Sequence, residues 1–100
     1  MRAHMEKDTL VVSFTRSLTA SILETLEKDT QKQIFERGGF KGVTIDASNI
    51  SEMDSLGINF IVKLYKELNS KGIEFKIIKT SRHIRQLFNL FKLTDYFKIT

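Results

Sequence analysis

One hundred residues, 41% of them hydrophobic, fit one compact domain and leave no room for a second. The absence of cysteine excludes a disulfide framework and a thiolate zinc site, and it suits a reducing compartment, the cytoplasm by default. A net charge of +4 and a pI near 9.5 raise nucleic acid or anionic membranes as partners. Yet Lys63, Lys66, Lys71, Lys76 and Lys79 are spread over solvent faces and element ends. No basic stripe interleaves with aromatics, and no apolar run approaches the roughly 20 residues that span a bilayer, so neither direct nucleic-acid binding nor membrane insertion is expected.

In chain order, Met1-Arg2-Ala3-His4 shows no pattern and reads as a disordered or vector-derived leader, with the domain proper running from 5 to 100. Thr9 to Phe14 is rich in β-branched and apolar residues and reads as a strand. From Leu18 apolar residues recur at Ile22, Leu26 and Ile34, a helical spacing that Ser17 or Thr19 can cap and Gly38-Gly39 ends. Val43 to Ala47 forms a central strand. The helix from Ser55 to Ser70 carries Leu56, Phe60, Ile61, Leu64, Tyr65 and Leu68 on one stripe, widened by Ile58 and Val62.

Lys71-Gly72 caps that helix, and Ile73 to Ile78 alternates apolar with polar as a half-buried strand does. Ser81 caps a third helix whose core face is Ile84, Leu87, Phe88 and Phe91, and Tyr96 to Ile99 is a short closing segment. Phe91, Tyr96 and Phe97 are expected to pack onto the sheet, with an interaction patch as the competing reading. The alternation of strand and helix predicts a single-domain α/β fold. Its sheet is mostly parallel with a mixed edge, covered by about three to four helices.

The stretch with the most chemical content is Ile50 to Asn59, a polar turn between the central strand and the most apolar helix. A strand feeding a helix places this turn at the carboxyl edge of the sheet, where open α/β folds bind their ligands. The first helical turn has free N–H groups and favours negative charge, supplied by Asp54 now or by a phosphate on Ser55 later. A cap role for Asp54 and Ser55, with Ser51-x-x-Asp54 as a weakened capping box, competes with that reading. It does not explain Gly57. Glycine inside a helix costs about 1 kcal/mol relative to alanine, which makes sense where another backbone or a phosphate must come close.

The constellations of an enzyme are missing. The two histidines, His4 and His83, lie in the leader and in the basic turn Lys79 to Arg85, and no phosphate-binding glycine loop occurs. Asp46, Glu52 and Asp54 lack the spacing logic of a metal site. No catalytic residue, metal or cofactor is therefore expected.

Val43 to Ser48, then Asp54-Ser55-Leu56-Gly57, the apolar helix, Lys71-Gly72, an alternating strand, Ile84 to Phe88 and Leu93 to Phe97 together resemble the STAS domain, in its form as a stand-alone bacterial anti-sigma-factor antagonist. The likeness covers residues 43 to 99 well and 9 to 35 loosely. It implies that Ser55 is phosphorylated by a partner that is both anti-sigma factor and serine kinase. The unmodified protein would bind this partner and release a sigma factor for transcription, and a metal-dependent serine phosphatase would reset the switch. Partner contacts would fall on Ser51, Glu52, Met53, Asp54, Leu56, Gly57 and Asn59, in a monomer or weak dimer.

Three departures stand out. The family opens with two strands, of which one is evident here; Leu56 stands where a small residue is frequent, and Asn59 where glycine is frequent. A subunit of a membrane phospholipid transport complex of the ABC type is the alternative reading on the same fold.

Overall fold

A computed structural model describes residues 1–14 and 17–100. Thr15 and Arg16, which the sequence reading placed just after the first strand, lie outside the described residues. A five-stranded sheet runs in sequence order: β1 (Arg2–Glu6), β2 (Thr9–Ser13), β3 (Gly42–Asp46), β4 (Glu74–Ile78) and β5 (Lys98–Ile99). β1 is antiparallel to β2, and every other pairing is parallel. The expected mostly parallel sheet with a mixed edge is thus observed.

The leader is a correction. Arg2 to His4 are strand residues, paired with Ser13, Val12 and Val11. The sequence hides this because β1 is an edge strand exposed along most of its length, so Arg2, His4 and Glu6 need no apolar periodicity. This hairpin also supplies the opening strand that the sequence reading found missing.

Among the described residues three helices connect the parallel strands: α1 (Leu23–Thr30), α2 (Ser55–Ser70) and α3 (Arg82–Leu90). Because the strands never reverse their order, right-handed crossovers bring all three helices to one face of the sheet. Leu10, Val12, Val43, Ile45, Phe75 and Ile77 alternate onto that face and are buried beneath Leu26, Ile61, Leu64, Leu68, Ile84 and Phe88.

The first helix differs from its expected form. It opens as a 3-10 turn at Ala20–Ile22 and ends in a π-turn at Gln31–Phe35. Neither Ser17 nor Thr19 caps it: Thr19 stands at the N-cap position of the opening turn without a side-chain cap bond, and Ser17 is used elsewhere. Gly38 and Gly39, at φ 66° and 77°, end it as expected. Ser81 caps α3, its hydroxyl oxygen accepting from the Ile84 amide at 3.2 Å.

At the far end, Phe97 lies 4.9 Å from the Phe75 ring and 5.1 Å from Tyr65, so the chain end is sealed onto β4 and α2 by aromatic packing. Its neighbours do not follow. Phe91 and Tyr96, expected in the core, are 49% and 63% exposed, because α3 ends at Leu90 and the following turn carries both rings to the rim.

Candidate functional site

The loop from β3 to α2 is anchored at both ends before it reaches Ser55. The Ala47 amide donates to the Ile78 carbonyl at 2.9 Å, and the buried Ile50 closes a turn back onto the Ala47 carbonyl at 3.0 Å. Asp46 accepts from the Ser48 amide and meets the Lys79 ammonium at 3.6 Å. Ser48, through hydroxyl and amide, together with Lys79 holds the Asp46 carboxyl below its ordinary range.

Residues 51 to 54 then run alongside the segment that leads into α1. The Leu18 amide donates to the Glu52 carbonyl at 3.1 Å, and the Asp54 amide donates to the Leu18 carbonyl at 3.2 Å. Leu18 and Met53 form a one-residue parallel bridge, with Leu18 fully buried and Met53 8% exposed. Ser17 completes the seam. Its oxygen accepts from the Glu52 amide at 2.9 Å and the Ser51 amide at 3.3 Å, and its hydroxyl lies 3.0 Å from that of Ser51. With its oxygen already accepting from two amides, the Ser17 hydroxyl is best placed to donate in its contact with Ser51.

Asp54 is the N-cap of α2, and it does more than cap. One carboxylate oxygen accepts from the Gly57 amide at 2.8 Å, and the other accepts from the Ala20 amide at 2.9 Å. The Ala20 bond first, and the Gly57 bond second, pull its carboxyl below the ordinary range and keep it ionised. A single carboxylate thereby joins the mouth of α2 to the start of the first helix. The capping box read from Ser51-x-x-Asp54 is replaced by this arrangement: the cap sits at Asp54, and Ser51 is held by Ser17.

Gly57 has its reason in the same seam. A Cβ there would overlap the Leu18 carbonyl oxygen and stand 2.9 Å from Met53 Cγ. Of the two explanations open from sequence, a second backbone or a phosphate, the structure shows the second backbone. The residues that sequence reading missed are Ser17, Leu18 and Ala20. Ala20 is 34 positions from its partner Asp54, and the anomalous glycine was the one local trace of that contact.

The expected contact residues divide accordingly. Ser51, Glu52, Ser55, Leu56 and Asn59 are exposed, and Asp54 is half-buried. Met53 and Gly57 are buried against Leu18, so they shape the surface from beneath. Leu56, placed by its spacing on the apolar stripe of α2, is instead 47% exposed, because it lies on the helix flank of the exposed Asn59 and Lys63 while Gly57 and Ile58 of the same turn are buried. Ser55 begins the helix with its side chain open, since Asp54 has taken the cap.

Similar proteins are known. Over 98% of this chain and 83% of the other, the fold superposes with a TM-score of 0.89 on a candidate anti-sigma factor antagonist from Thermotoga maritima, at 17% identity. The anti-sigma factor antagonist SpoIIAA in its unphosphorylated form gives a TM-score of 0.78 at 19% identity, over 99% of this chain and 86% of that one. The Bacillus cell fate determinant SpoIIAA in its phosphorylated form gives 0.72 at 19% identity, over 99% and 89%. At such identities the likeness is one of fold. The STAS domain family model matches residues 1–100, so this chain is a member of the STAS domain family.

Proposed function

We propose that this chain is an anti-sigma-factor antagonist that works as a phospho-switchable binding module. Unmodified, it binds an anti-sigma factor that is also a serine kinase, through Ser51, Glu52, Ser55, Leu56 and Asn59; phosphorylated on Ser55, it lets go. A metal-dependent serine phosphatase restores the binding form. The observation that carries this reading is the position of Ser55. It is an exposed hydroxyl at the open first turn of α2, relieved of any cap duty by Asp54 and set beside the exposed Leu56.

The physics of a switch is present at that point. A phosphate on Ser55 brings about −1.5 to −2 charges, which free N–H groups at a helix N-terminus tolerate. A packed interface does not tolerate them next to the ionised Asp54, where like charges must share a desolvated surface. The fold therefore survives and the complex does not, with a loss of affinity of about a hundredfold or more. Fold likeness to SpoIIAA in both its unphosphorylated and phosphorylated forms supports a framework that accepts either state.

The test is a pull-down from source-cell lysate with wild type, Ser55→Ala and Ser55→Asp, followed by mass spectrometry and a kinase assay on the captured partner. Recovery of an anti-sigma factor kinase by wild type and Ser55→Ala but not by Ser55→Asp is the expected result. Capture of a transporter ATPase, or binding indifferent to Ser55→Asp, overturns the proposal.

A further inference from the structure

We infer that the outer edge of β1 is a self-pairing surface, through which two copies of this chain join antiparallel about His4 into one continuous sheet. Among the described residues β1 is paired with β2 alone, leaving its other edge with a row of open backbone donors and acceptors. Two of the usual protections of such an edge, a proline and a bulge, are lacking, while its charged side chains, Arg2 and Glu6, are of opposite sign. The chain has no proline, the β1–β2 register is unbroken by a bulge, and β1 is exposed along most of its length.

The side chains on this edge select one partner and one register. Arg2 and Glu6 stand two positions either side of His4 and share its face of the sheet. Antiparallel pairing centred on His4 sets Arg2 of each copy opposite Glu6 of the other, giving two opposite-charge pairs. Parallel pairing would instead oppose Arg2 to Arg2 and Glu6 to Glu6. Moving the antiparallel centre to Ala3 or Met5 would unpair the Arg2 and Glu6 charges from each other. On the other face the same register sets Ala3 against Met5, whose side chain is 41% exposed and would lose water contact. Within each copy the His4 ring already reaches Glu6 at 3.3 Å, so each acid would stand between its own His4 and the second copy's Arg2.

Five residues of strand bury far less than the roughly 800 Å² per partner of a standard interface, so the dimer is weak and fills only at high protein concentration. This edge shares no residue with the Ser55 surface proposed above, so its test is independent of the proposed switch.

Sedimentation velocity from about 10 µM to 1 mM tests it on wild type, Arg2→Glu, Glu6→Arg and an equimolar mixture of the two variants. Both positions are exposed edge residues, and circular dichroism checks that each variant stays folded. Wild type is expected to dimerise with rising concentration, each single variant to lose about tenfold or more in affinity, and the mixture to regain it as a heterodimer. That regain follows because the Arg2→Glu chain carries acids at both positions and the Glu6→Arg chain carries bases at both, so each cross-strand pair of the mixed dimer again joins opposite charges. A monomer throughout the range overturns the inference. So does a dimer indifferent to both reversals, which would point to the rim around Leu90, Phe91 and Tyr96.

Discussion

Gly57 and Leu18 are in backbone contact: the space a Cβ on Gly57 would need is occupied by the Leu18 carbonyl. That carbonyl also accepts the Asp54 amide, so the close approach and the parallel bridge to Met53 are one structure. Replacing Gly57 with alanine gains about 1 kcal/mol of helix propensity, but forces the Leu18 segment outward. Gly57→Ala should be less stable by about 1 to 3 kcal/mol net, as urea unfolding would report, because backbone cannot yield as a flexible side chain does.

The Asp54 carboxylate predicts a pH dependence. Its carboxyl is held below the ordinary value of 3.8 in the folded protein, chiefly by the Ala20 and Gly57 amides. A carboxyl with a depressed folded pKa contributes stability that is fully present above the unfolded value and is lost as pH falls through the folded one. Thermal stability should therefore hold from neutral pH to about 5 and decline below about 4. Asp54→Asn should flatten that decline, and it should speed hydrogen exchange at the Ala20 amide.

Ser17 holds two amides that would otherwise have no side-chain partner, those of Ser51 and Glu52. In Ser17→Ala the loop before α2 should loosen at a cost of about 1 kcal/mol, the usual net worth of lost hydrogen bonds near the surface. Faster exchange of the Ser51 and Glu52 amides, with those of β3 unchanged, would locate the effect. Uniform exchange across the molecule would contradict it.

Phe97 joins the chain end to the core through the rings of Phe75, Tyr65 and Phe88. Phe97→Ala should cost about 3 to 5 kcal/mol, the range for truncating a buried aromatic. Tyr96→Ala, at a residue 63% exposed, should stay within about 0.5 kcal/mol of wild type, so denaturant midpoints of the pair separate core from rim.

Much of this protein is legible locally. β3 and β4 announce themselves through β-branched and alternating residues, α2 through its apolar stripe, and Ser81 as a cap, because each depends on neighbours within a turn or a strand. The charge at Asp54 and the open hydroxyl at Ser55 belong to the same category, since a helix mouth follows from the local chain. β1 was hidden because an exposed edge strand needs a partner's backbone and no apolar code. Phe91 and Tyr96 were misplaced because helix spacing shows which residues share a face, not where the helix stops covering the core.

What the sequence determined is thus the order of elements, the parallel sheet and the position of the strand-to-helix turn, all set by periodicity and caps. Tertiary structure alone decided that Ser17, Leu18 and Ala20 would meet Ser51 to Gly57, that Met53 would be buried and that Leu56 would be exposed. The reason is that each contact of this seam uses a backbone amide or carbonyl whose partner lies far away in the chain. Backbone amides and carbonyls are the same at every residue, so only the folded path of the chain says which of them come together.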